Sequence, residues 1–253
     1  MPRTASRRRF IKSAAALTAL AALRPRILSA GATPRIAIAF SGLPPQLDLL
    51  ERLTLARNAG FSGVEMHTLD DPQEAERVHL AAKRLDLAIH SVVNDPDRRY
   101  PLSSTNPDVV EQAVAGIDTS LRNARLWSAG TVSITPTAAG SGTSYQDAWN
   151  RSQKVIRERI LPLAKHAAVT LAIEDVWDGF VVGPLEVARY VDAFESRWVK
   201  ACVDTSRTVF YAGHRDFIRV LGSRVVKVRT RSIGALGDVA DISFGGWVTV
   251  ETL

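Results

Sequence analysis

Three carboxylates each close a short apolar run. Glu174 follows Val169-Thr-Leu-Ala-Ile173, Asp204 follows Val199-Lys-Ala-Cys-Val203, and Glu251 follows Trp247-Val-Thr-Val250. Runs of this length read as buried parallel strands, where an ionised side chain is costly unless it points into a polar site. Parallel β/α proteins gather their chemistry at the carboxyl ends of strands. Three carboxylates meeting there would form a hard, oxygen-rich cage suited to a divalent cation. His67 and His90 fall at the ends of two further strand-like runs and are expected to face the same pocket as substrate contacts. His79 and His166 lie on helical stretches and are read as surface or packing residues.

Those carboxylates need a frame, and the hydrophobic pattern supplies one. From Pro34 onward, short β-like runs alternate with longer amphipathic stretches, the signature of βα units and a parallel sheet. Strands are predicted at Arg35–Phe40, Gly63–Met66, Leu87–Val93, Thr131–Thr135, Val169–Glu174, Val199–Asp204, Val225–Val228 and Trp247–Glu251. Helices are predicted at Pro45–Ala59, Pro72–Leu85, Asn106–Ala129, Ser144–Ala168, Pro184–Phe194 and Asp216–Leu221. About eight such repeats suit a (β/α)8 barrel. The alternative, an open doubly wound sheet, would carry a Gly-x-Gly-x-x-Gly turn after its first strand, and none is present. Between Val228 and Trp247 the chain is Gly-rich and shows no clear amphipathic helix, and nothing follows Leu253. The expectation is therefore a barrel incomplete at its C-terminal end, with apolar strand surface that favours a homodimer.

Charge separates leader from body. The chain of 253 residues is 46% hydrophobic and 23% charged, with a net charge of +6. All of that excess lies in residues 1–32, which hold seven Arg and Lys and no acid; the remainder carries 25 basic against 26 acidic residues. The body thus has no basic excess of the kind a nucleic-acid partner calls for, and the alternating basic residues of Arg224–Arg231, without interleaved aromatics, are only a weak footprint. Ser6-Arg-Arg-Arg-Phe-Ile-Lys12, the apolar stretch to Leu23 and the small residues Ala30-Gly-Ala32 match a twin-arginine export signal. The apolar stretch is too short for a stable membrane anchor. The reading is thus a signal peptide over 1–32 and one domain over 33–253, exported to the periplasm or beyond; an amphipathic N-terminal helix is the plainer alternative. Cys202, the single cysteine, permits no intrachain disulfide and reads as a core residue.

From about Ile36 to Glu251 the chain resembles the sugar phosphate isomerase/epimerase family, the xylose isomerase-like TIM barrels. The resemblance rests on Gly60-Phe-Ser-Gly-Val-Glu65, His90-Ser-Val-Val-Asn94, Ile173-Glu-Asp-Val-Trp177, Val203-Asp204, Gly237-Asp-Val239 and Gly246-Trp-Val-Thr-Val-Glu251, in that order. It implies a divalent metal (Mn, Mg, Co or Zn) held by Glu174, Asp204 and Glu251 together with a histidine from strand seven. Here the chain departs from the pattern. Where the family resembles His-x-Lys-Asp, this sequence reads Arg229-Thr-Arg-Ser232, and Arg207 stands three residues after Asp204 where Asn or His is usual. An arginine is permanently protonated and ligates no metal. Arg229 among three carboxylates would either replace the ion with a fork-to-carboxylate network or bind an anionic group of the substrate.

The activity so implied is proton transfer next to the carbonyl of a small sugar, polyol or keto-acid, with Glu174 and Glu251 as acid and base. Arg207, Arg229, His67 and His90 would contact the substrate, and Trp177 would stack on its ring. A non-catalytic barrel that binds a sugar or anion is the principal alternative, and a lyase or dehydratase on the same scaffold a further one.

Overall fold

Each apolar run becomes a strand, and each amphipathic stretch packs its buried face on the outside of the sheet. The computed structural model describes residues 34–94, 99–136, 143–174, 180–208, 213–231, 236 and 244–252. The export leader and Trp177 lie outside the described residues, so the expectations placed on them stay with the sequence. The strands are β1 (Arg35–Ala39), β2 (Gly63–His67), β3 (Ala88–Val93), β4 (Thr131–Ile134), β5 (Thr170–Glu174), β6 (Val199–Asp204), β7 (Val225–Thr230) and β8 (Trp247–Val250). They pair in sequence order, all parallel, into a closed barrel. The seam is β8 on β1, from Arg35 opposite Trp247 to Ile38 opposite Val250.

The helices are α1 (Leu49–Asn58), α2 (Pro72–Arg84), α3 (Pro107–Leu126), α4 (Tyr145–Val155), α5 (Leu161–Ala167), α6 (Pro184–Asp192), the single turn α7 (Thr205–Thr208) and α8 (His214–Leu221). Their starts follow from caps. Asp71, Asn106 and Ser144 each accept a hydrogen bond from a backbone N–H of the first turn. α1 begins four residues later than Pro45, because Asp48 and Glu51 form a reciprocal capping box. The long helix expected over Ser144–Ala168 is present but divided, its middle (Ile156–Ile160) being a π-turn. Pro162 lacks the N–H that would bond the carbonyl of Glu158, so the ladder must change register there.

The predicted gap at the C-terminal end does not open the sheet. β8 is paired on both sides, and its Val248 and Val250 are fully buried. Leu236 belongs to the same core, with Phe244 packed against it. Among the described residues no large apolar strand surface is left at the seam, contrary to the sequence expectation. Among the described residues no helix is long and apolar enough to cross a membrane.

Two irregularities aim side chains into the lumen. Val64 pairs with Ile89 but Glu65 pairs with Ser91, so His90 is an extra residue in β3. Likewise Ala201 pairs with Val225 but Cys202 with Lys227, which leaves Val226 as the extra residue of β7. Bulges of this kind kink a strand and redirect its side chains.

Candidate active site

Asp204, Arg229 and Thr249 stand side by side on β6, β7 and β8 near the carboxyl end of the barrel. From there the Arg229 guanidinium reaches three strands. Its Nη1 donates to Glu174 Oε1 at 2.9 Å, its Nη2 lies 2.9 Å from Glu251 Oε1, and its Nε lies 3.2 Å from Glu65 Oε1. The last is an ionic contact without hydrogen-bond alignment. Arg207, on α7, adds a second guanidinium, with Nε 3.0 Å from Asp204 Oδ2 and Nη2 3.6 Å from Glu174 Oε1. Asp204 also accepts from the Ser206 N–H at 2.9 Å and its hydroxyl at 2.7 Å, which ties the α7 turn to β6.

Beneath this layer is a second pair that sequence reasoning did not assign to the site. Lys227 is 1% exposed and donates to Glu65 and, at 2.8 Å, to Ser91 Oγ. The signal was present: Glu65 and Lys227 are the charged residues inside the apolar runs Val64-Glu-Met66 and Val226-Lys-Val228. Charges so placed are rarely tolerated unless paired.

Electrostatics follow from this packing. Burial alone would raise the Glu65 carboxyl, but Lys227, Arg229 and His90 overcome it and hold it down at about 2. Burial likewise opposes the charge on Arg229, yet Glu174, Glu65 and Glu251 together strengthen it, so the guanidinium stays a cation. Glu251 behaves differently. Burial pushes its carboxyl up, Arg229 opposes this, and the neighbouring Asp204, Glu174 and Glu65 push it up further. Glu251 is also the most open of Arg229's three partners, its side chain 26% exposed against 4% for Glu174 and 1% for Glu65.

Glu174, Asp204 and Glu251 thus converge as expected, but around cations. The donor set does not fit a divalent metal: the place of a fourth ligand is taken by Arg229, whose N–H groups occupy oxygens that an ion would need. Among the described residues no three His, Cys, Asp or Glu side chains are arranged to hold a metal.

For His90 the sequence reading expects a substrate contact. Its ring lies toward the amino end of the barrel, stacked on Trp247 at 4.6 Å, with Nε2 2.9 Å from Thr249 Oγ1. The bulge in β3 makes this possible. His67 does end β2, half-buried, but its ring neighbours Phe40 at 6.1 Å, and it lines a separate cavity of about 300 Å³ with Arg52. Glu251 itself is set by a close approach. A Cβ on Gly42, in the turn after β1, would collide with the Glu251 carbonyl.

A family profile described as "Xylose isomerase-like TIM barrel" matches residues 53–236. Among solved structures, the chain is similar to D-psicose 3-epimerase from Clostridium cellulolyticum H10, with 17% identity, 87% of this chain and 85% of that one covered, and a TM-score of 0.75. It is similar to 3-keto-D-glucoside 4-epimerase from E. coli at 12% identity, with 87% and 92% covered and a TM-score of 0.74. It is also similar to a family 2 AP endonuclease from Brucella melitensis at 20% identity, with 87% and 93% covered and a TM-score of 0.71. No curated protein matches the chain by sequence. These likenesses show the fold, and the profile match shows the kinship: the chain belongs to the xylose isomerase-like TIM barrel family.

Proposed function

We propose that the protein is a sugar isomerase or epimerase that moves the proton next to a carbonyl with Arg229, rather than a metal ion, as its cation. The observation that carries this reading is the Arg229 guanidinium held 2.9 Å from both Glu174 and Glu251. A small ketose would place its carbonyl and neighbouring hydroxyl oxygens against the remaining Nη hydrogens of Arg229 and against Arg207. Glu174, as carboxylate, would take the proton from the carbon next to the carbonyl. The negative charge that develops on oxygen is met by a fixed guanidinium that needs no reorganisation, which is where preorganised charge contributes most. Glu251, whose carboxyl is pushed up, is the group suited to return a proton to that carbon from the other side. Proton delivery to the opposite face inverts the centre; the acid and base then re-equilibrate with water. The epimerases among the fold relatives favour a sugar substrate by analogy only.

Incubating the protein with a panel of ketoses in deuterated water containing chelator tests this. Deuterium should enter at the carbon next to the carbonyl, and Glu251→Gln should slow entry by about 100-fold. One observation favours a second reading, a sugar- or anion-binding barrel without catalysis: Arg229 already engages both carboxylates that would act as acid and base. Ligand binding without any deuterium entry would select it. Export is proposed on the leader alone. Replacing Arg8 and Arg9 together by Lys should leave a periplasm-directed reporter fusion in the cytoplasm, whereas unchanged export would refute the twin-arginine assignment.

A further inference from the structure

At the end of the barrel opposite the carboxylates lies a second cavity, of about 400 Å³, whose lining includes Arg35, His90, Gly130, Thr131, Lys227 and Trp247; the Lys227 ammonium is already taken by Glu65 and Ser91. Its lining holds no Asp or Glu. His90 is 5% exposed, and while Nε2 meets Thr249, its Nδ1 is buried with no hydrogen-bond partner. A buried polar atom left in that state keeps its desolvation cost without a compensating bond. Trp247 stacks on one face of the imidazole, and the Arg35 guanidinium lies over the indole at 4.3 Å. Arg35 forms no ion pair among the described residues. A more open cavity shares Arg35, Ala88 and Trp247 with the first and brings Arg57, Lys83 and one acid, Asp86, to the same rim.

We propose that this amino-end cavity is a binding site for a small organic carboxylate, its oxygens held by Arg35 and His90 Nδ1 and its flat apolar part lying between Trp247 and Gly130. In the tautomer in which Thr249 donates to Nε2, Nδ1 carries the hydrogen and presents a donor to the ligand. Burial, only partly offset by Glu65 and reinforced by Lys227, holds His90 down at about 3, so the imidazole is uncharged at neutral pH. One unpaired guanidinium beside a neutral donor matches a single negative charge, and the aromatic wall favours an organic anion over inorganic phosphate. The proposal does not rest on the proton-transfer reading, since Arg35 and Gly130 stand apart from the carboxylate cluster; Lys227, paired with Glu65, is the residue that links the two.

Calorimetric titration of the full chain with benzoate, and separately with inorganic phosphate, tests the assignment. Arg35→Gln removes the cation from an exposed position, and Gly130→Val adds bulk where a Cβ meets nothing within 4 Å. Saturable benzoate binding, weakened about ten-fold or more by each variant and tighter than phosphate, is expected. No saturable benzoate binding, binding indifferent to both variants, or phosphate bound more tightly would each overturn the proposal. Deuterium entry into ketoses should be unchanged in Arg35→Gln, which keeps the two sites experimentally separate.

Discussion

At the scale of single residues, the centre of the barrel is a stack of compensated charge. Lys227 answers Glu65, and Arg229 answers Glu65, Glu174 and Glu251. Removing one partner of such a set leaves the other buried and uncompensated, which costs far more than the pair itself contributes. Lys227→Met should therefore destabilise the protein by about 3–5 kcal/mol in urea unfolding. Adding Glu65→Gln to it should recover most of that loss, and a double variant no more stable than the single would contradict the pairing. Glu174, Asp204 and Glu251 were legible as a cluster because a carboxylate closing an apolar strand must point into something polar. Arg229 was legible as a misfit in the place of a ligand. Glu65 and Lys227 were visible only one at a time, since nothing in a one-dimensional pattern brings β2 and β7 face to face. His90 was read as closing a strand-like run, whereas it is the third residue of β3 and sits at a bulge that no sequence pattern announces.

Elements position these residues through contacts that depend on small size and on caps. The turn after β1 presses against the end of β8 so closely that Gly42 has no room for a side chain. Gly42→Ala should shift the Glu251 backbone, slowing deuterium entry by about ten-fold for a stability loss of about 1–3 kcal/mol, as overpacking usually costs. Equal activity in the variant would show that Glu251 is not held in place by that contact. Element positions were readable from the sequence wherever periodicity and caps agreed, as at Asn106-Pro107, which opens α3. They were less readable at α1, where a capping box outcompeted the preceding prolines, and within the long helix, where Pro162 imposes a π-turn. Closure of the barrel was underestimated, because β8 is paired on both sides by parallel strands, which buries Val248 and Val250 without any signal in the hydrophobic period before it.

For the whole molecule, the buried groups set a pH dependence of definite sign. His90 is held down at about 3 against an ordinary value of 6.5, so the unfolded chain binds its proton first as pH falls. Its contribution to stability is fully present above pH 6.5 and is lost as pH falls toward about 3. Within that window His90→Gln should remove a slope of about 1.4 kcal/mol per pH unit from the unfolding free energy. Glu65, held at about 2 against 4.5, acts in the same direction at lower pH, its share being present above 4.5 and lost toward about 2. Glu251, pushed up, works in the opposite sense, favouring the folded state below its ordinary value and losing that share as pH rises through its own.

The claim on which the site's chemistry depends is that the guanidinium of Arg229 stands where the family pattern implies a metal ion. Elemental analysis of the protein purified without chelator, beside its Arg229→His variant, tests it most directly. The account predicts well under one divalent ion per chain in the unaltered protein, and uptake approaching about one per chain once histidine joins Glu174, Asp204 and Glu251. About one tightly held ion per chain in the unaltered protein, lost with Glu174→Gln, would contradict it.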